Sequence, residues 1–155
     1  MTEDHEEFIH FVTCIDRLNS AWVTLSAIKT AGDSPLVGPA FRFALVQYAM
    51  PYNRSDGPIK KRRHLTTSYV PADMLDLHER LLDARNKIHA HADLTLMEAK
   101  LYLTETRGSP SVIISGNYIH GLEELSNIDE IIRLIEGTLD NMYTEQDVRV
   151  RALKP

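Results

Sequence analysis

One cysteine, Cys14, stands among 155 residues, so neither an internal disulfide nor a zinc site built on several thiolates can form, and a reducing compartment suits the chain. Cys14 lies in an apolar stretch, where a buried, inert thiol is expected. Long apolar runs are missing too: none approaches the roughly 18 residues that a spanning helix needs. The N-terminus is acidic, with Glu3, Asp4, Glu6 and Glu7, and lacks the basic-then-apolar order of a secretory signal. The expectation is a cytoplasmic protein that does not engage a membrane. Positive charge is in deficit as well. A net charge of −5 and a pI near 5.8 give no electrostatic footprint for broad nucleic-acid binding, so any such contact must be local. There is no internal repeat and no low-complexity tract.

What is present suffices for one proper core. With 43% hydrophobic and 25% charged residues, the expectation is one soluble globular domain over residues 1–155. Apolar residues recur at Phe8, Phe11/Val12, Ile15, Leu18, Trp22, Leu25 and Ile28 behind a Thr2 N-cap, predicting a long amphipathic helix over about 3–30. Gly32-Asp33-Ser34-Pro35 ends it. A second helix over about 37–50 is apolar nearly all round and is expected to be the most buried element. Pro51 to Val70 reads as a long loop carrying the one basic cluster, Lys60-Lys61-Arg62-Arg63-His64. That cluster is either a solvated run, the usual case, or a local RNA contact.

From Pro71, the positions Met74, Leu77, Leu81, Ala84 and Ile88 keep a three-or-four spacing and predict a third helix to about residue 90. Lys100–Thr104 and Ser111–Ser115 are β-prone runs separated by Arg107-Gly108-Ser109-Pro110, which predicts a small hairpin. Asn127 with Glu130 makes a capping-box pattern for a fourth helix to about residue 145, in which Gly137 costs about 1 kcal/mol that packing must offset. The predicted architecture is an all-α bundle with a small β-hairpin insertion.

The stretch "ARNKIHAHADLT", residues 84–95, concentrates the chemistry, and three readings compete. His89-x-His91-x-Asp93 resembles the zinc motif of the metallo-β-lactamase superfamily. The resemblance fails at Leu94, where that motif has a further histidine, and that fold is a much longer αβ-sandwich. A generic site completed by His120, His64 or a carboxylate would require the helix to unwind, because i and i+2 point to different sides. No metal and no cofactor is therefore expected.

The second reading starts from Arg85. His89 is on its helical face, whereas His91 is rotated about 240° away unless the helix frays. The pattern R-N-K-x-x-A-H-x-D (Arg85, Asn86, Lys87, Ala90, His91, Asp93) resembles the signature of the HEPN superfamily, in its abortive-infection-associated branch. In that signature four to six residues separate an arginine from the histidine that follows it. The resemblance implies a four- to five-helix HEPN-like bundle that forms a homodimer with the two motifs facing across a cleft. It further implies a metal-independent endoribonuclease acting in stress or phage defence, with RNA as substrate and an antitoxin or nucleotidyltransferase as partner. Arg85 and His91 would be the catalytic pair. Asn86 would orient the phosphate or the imidazole, and Lys87 would add charge or simply sit at a solvated rim. Lys60, Lys61, Arg62 and Arg63 would be further RNA contacts. Helical geometry favours His89 and the family spacing favours His91, so both stay open. Tyr102 and His120 would join the cleft only if the hairpin folds over it. Other members of the family are non-catalytic interaction or RNA- and nucleotide-binding modules, and the resemblance implies that alternative too.

The third reading is structural: Arg85 pairs with Asp83, Glu79 or a neighbouring helix, and the histidines satisfy the helix C-terminus.

Overall fold

A computed structural model of the chain describes residues 2–57, 62–89, 100–106, 108–116 and 121–153. Four helices form the body: α1 (Glu3–Lys29), α2 (Val37–Ala49), α3 (Leu75–His89) and α4 (Ile128–Ala152). Two small antiparallel pairs accompany them, β1 (Ser55–Asp56) with β2 (Arg62–Arg63), and β3 (Lys100–Thr106) with β4 (Ser109–Ser115). The fold is mostly helical with a small hairpin, as the periodicity predicts. Among the described residues no helix is long and apolar enough to cross a membrane.

α1 is the central element and packs against both α2 and α4, while α2 in turn packs against α3. Its buried stripe, Phe11, Cys14, Ile15, Leu18, Ala21, Leu25 and Ile28, repeats at helical spacing and meets Phe41, Leu45 and Tyr48 of α2 and Ile131, Leu134 and Ile135 of α4 in one core cluster. Each such aliphatic side chain contributes about 1.5–3 kcal/mol by leaving water. The helix starts where expected: Thr2 Oγ1 accepts a hydrogen bond from the His5 amide at 3.3 Å. It ends just before Gly32, whose φ of +57° is open to glycine without strain.

Several boundaries differ from expectation for physical reasons. α2 is not buried all round: Phe43 is half exposed and Leu36 before it is exposed. The span from Pro51 to Val70 is no featureless loop. Short 3₁₀ turns at Met50–Tyr52 and Thr67–Tyr69 flank the β1/β2 pair, the Leu65 amide bonds the Pro51 carbonyl at 2.7 Å, and Leu65 and Val70 enter the core. α3 begins at Leu75 after a 3₁₀ turn, Ala72–Met74. The hairpin forms as predicted, but its turn is tighter, with Ser109 and Pro110 already in β4 opposite Thr106 and Glu105. Asn127 does not cap α4 with its side chain, because its amide donates to Glu124 at 2.8 Å instead. Gly137 finds its offset in Pro71, whose ring occupies the space a Cβ would need.

Candidate functional site at the end of the third helix

α3 buries Leu77, Leu81 and Ala84, and Ile88 packs on the core from its last turn. Arg85 follows Ala84 directly, so it sits at the border of the buried stripe and is half-buried. Its Nε is enclosed with no hydrogen-bond acceptor, and its Nη1 donates to the Asn86 side-chain oxygen at 3.2 Å. Among the described residues it forms no ion pair. The neighbouring cations differ. Lys87 holds Asp83 at 2.9 Å and lies 3.9 Å from Glu123, and the hydrogen bond it donates to Asp83 is the main reason its pKa is raised. Arg80 donates through Nε to Glu124 at 2.7 Å and through Nη2 at 3.4 Å. Burial alone would push the Glu124 carboxyl up, but the bonds from Arg80 and Asn127 outweigh it and hold the pKa below its ordinary value.

The chain that returns along α3 is seated by Gly121. Its φ is +79°, and a Cβ there would run into Ile88 and lie 3.6 Å from the Ala84 carbonyl oxygen. Its amide donates to Glu123 at 2.7 Å. Glycine is thus required twice over, and the close approach delivers Glu123 and Glu124 to Lys87 and Arg80 while leaving Arg85 to Asn86. A guanidinium with unused donors beside an amide, at the C-terminal end of a helix, can hold the oxygens of an incoming phosphate.

His89 is the last residue of α3, and its side chain lies outside the described residues, as do Ala90, His91, Asp93 and His120 in full. Lys60 and Lys61 lie outside them too. Among the described residues no three His, Cys, Asp or Glu side chains are grouped to hold a metal ion. Tyr102 is on β3, half exposed and opposite Ile113.

Arg62 and Arg63 belong to a different region from Arg85. They line a groove of about 310 Å³ between the first turns of α1, the β2 segment and the last turns of α4, together with His10, His64, Tyr69 and Arg149. Arg62 pairs with Asp56 at 3.5 Å. Arg63 is largely buried and lies 3.5 Å from Glu6 and 3.6 Å from Glu7, while its Nε and Nη2 meet no hydrogen-bond acceptor, so these contacts are Coulombic. Arg149 takes Glu145 at 2.9 Å and Glu7 at 3.1 Å and lies 4.3 Å above the Phe11 ring. The guanidiniums of this groove therefore all have carboxylates beside them. Burial, followed by the nearby Arg63, pushes His10 below its ordinary pKa.

Sequence reasoning overlooked a buried polar pair at the centre of the bundle. The Tyr48 hydroxyl and His78 Nδ1 are 2.7 Å apart, both fully enclosed, and the Tyr52 ring packs edge-on against His78 at 4.5 Å. Burial raises the phenol pKa of Tyr48 and lowers that of the imidazole. The pair is accordingly neutral and joined by one hydrogen bond. A signal for it existed: His78 falls between Met74, Leu77, Leu81 and Leu82 on the apolar side of α3. Comparison of the chain with protein-family models, with curated proteins and with solved structures finds no match.

Proposed function

We propose that the chain is a HEPN-like protein acting on RNA as a metal-independent endoribonuclease, working as a homodimer with the end of α3 as its site. Arg85 holds the non-bridging oxygens of the scissile phosphate as negative charge builds on them. His91, with His89 as the alternative, takes the proton from the 2′-hydroxyl. The 2′ oxygen bonds to phosphorus, the bond to the 5′ oxygen breaks, and the products are a 2′,3′-cyclic phosphate and a 5′-hydroxyl that takes up a proton. Asn86 orients the guanidinium through the bond at 3.2 Å.

One observation carries the reading. Of the three arginine and lysine side chains on α3, Arg80 and Lys87 are neutralised by carboxylates, and Arg85 is the one without a counter-charge among the described residues. Proteins seldom leave an enclosed guanidinium nitrogen such as the Arg85 Nε without an acceptor, and each exception calls for an explanation. Structural pairing with Asp83 is disfavoured because Lys87 occupies that carboxylate.

The test is cleavage of single-stranded RNA by the purified protein in EDTA. The wild type is expected to cut, and His91→Ala is expected to remove the activity while His89→Ala retains it. Binding of RNA that depends on Arg85, without any cleavage, would instead establish a non-catalytic RNA-binding module. Equal inertness of all proteins toward binding and cleavage would overturn both.

A further inference from the structure

The approaches to Arg85 are acidic. α3 carries Asp76, Glu79 and Asp83, all exposed, and helical geometry gathers the three into a sector of about 60° on the side away from Leu77, Leu81 and Ala84. The segment seated by Gly121 adds Glu123 and Glu124. These carboxylates outnumber the arginine and lysine side chains of the helix, of which Arg80 and Lys87 are already paired. A nucleic-acid strand laid along α3 would therefore set successive phosphates against uncompensated negative charge, and like charges so juxtaposed repel. The net charge of −5 supplies no wider attraction. Arg62, Arg63 and Arg149 line a different groove, and each lies beside a carboxylate.

We infer that the site grips a single phosphate per protomer and takes short single-stranded RNA segments that cross the tip of α3 instead of running along it, an inference that rests on the proposed role of Arg85 and defines its substrate more narrowly. A guanidinium presents one planar fork, which matches two oxygens of one phosphate. With Nη1 turned to the Asn86 oxygen, Arg85 has no second fork to offer a neighbouring phosphate. On either side of the one it holds, the strand meets no uncompensated arginine or lysine among the described residues of α3 and of the segment 121–124. RNA binding is consequently weak in its dependence on salt. Each phosphate neutralised on a single strand contributes about −0.7 to the slope of log K against log salt, and a protein that tracks RNA through a basic groove shows several times that value.

Fluorescence anisotropy with labelled 2′-O-methyl oligoribonucleotides of two, five and ten nucleotides tests it. Their blocked hydroxyl cannot attack, so binding by the full chain is read without cleavage. Across salt from about 20 to 200 mM, the expected slope is near −0.7 with one guanidinium on the strand, and no steeper than about −1.4 with both guanidiniums of the proposed dimer on it. Affinity is expected to rise from two to ten nucleotides by no more than about tenfold, because phosphates beyond the one held release no further counterions. Arg85→Ala is expected to flatten the slope by about 0.7. A slope steeper than about −1.4, a larger gain with length, or a slope that Arg85→Ala leaves unchanged overturns the single-phosphate grip while RNA binding itself stands. A wild type that binds none of the three oligonucleotides overturns the grip and the RNA reading together.

Discussion

The Lys87 ammonium sits 2.9 Å from the Asp83 carboxylate, one turn back on the same helix, and Arg85 has no such partner among the described residues. With Asp83 occupied, and Glu124 held by Arg80 at 2.7 Å, Arg85 is left with the Asn86 amide. The charge of Lys87 is already compensated, so Lys87→Met is expected to change RNA affinity by less than about threefold. Arg85→Ala is expected to lower it by about 10-fold or more, the loss of a charge-assisted contact being worth roughly 1.5–3 kcal/mol. Fluorescence anisotropy of a labelled single-stranded RNA measures both. Equal effects of the two substitutions would show that the site reads charge alone and not the guanidinium.

Gly121 supports the same end of α3. Gly121→Ala combines a positive φ with a collision against Ile88, and is expected to cost about 2–4 kcal/mol. Gly108→Ala, where φ is +77° but no atom lies within 4 Å, carries only the backbone penalty of about 1–2 kcal/mol. Denaturant melts of the two variants give the comparison. An equal loss in both would mean that the approach to Ile88 relaxes freely.

His78 and Tyr48 make the core sensitive to acid. The folded protein depresses the His78 pKa below its ordinary 6.5 through burial, so the unfolded chain takes up the proton first. The stability contributed by the neutral pair is complete above pH 6.5 and is lost as pH falls through the depressed folded value. His10, lowered by burial and by Arg63, acts in the same direction. Thermal midpoints are expected to hold down to about pH 6.5 and to fall from there to pH 5, and Tyr48→Phe to cost about 1–2 kcal/mol at neutral pH by leaving Nδ1 without its partner. A midpoint that rises on acidification would contradict the neutral assignment.

Arg63 and Arg62 are adjacent in sequence and differ in role. Removing Arg63 takes a cation from beside Glu6, which is 5% exposed, and empties the largely buried place of the guanidinium, so Arg63→Ala is expected to destabilise by about 3 kcal/mol. Arg62 meets Asp56 in the open, and Arg62→Ala is expected to stay within about 0.5 kcal/mol of the wild type. Chemical denaturation distinguishes them, and similar small losses would mean that Glu6 is satisfied without Arg63.

Much of this was legible in the residues. The stripe from Phe11 to Ile28 announced α1, the cap at Thr2 formed, and Gly108 marked the hairpin turn. α4 ran past its expected end because Val148 and Val150 face solvent, so its last turns carry no apolar period to read, while Arg149 ties them to Glu7. The capping box at Asn127 failed since Glu124, distant from no local rule but recruited by Arg80 on α3, claimed the amide. The span from Pro51 hid Leu65 and Val70 as core residues because isolated apolar positions between turns have no periodicity. At the candidate site, Arg85 and Asn86 could be named from their order in the chain. The pairing of Lys87 with Asp83 follows from their i,i+4 spacing, but the arrival of Glu123 beside Lys87 could not be read, because it depends on the close approach at Gly121.

The most direct measurement of the central claim is the chemistry of the RNA ends, followed by ³¹P NMR or mass spectrometry of a short oligoribonucleotide incubated in EDTA. The account predicts a 2′,3′-cyclic phosphate from the wild type and a rate about 10²–10³ lower for Arg85→Ala, the loss usual for one donor to a developing oxyanion. Cleavage by Arg85→Ala at the wild-type rate, or a wild type that leaves every phosphodiester intact while failing to bind the RNA, would contradict it.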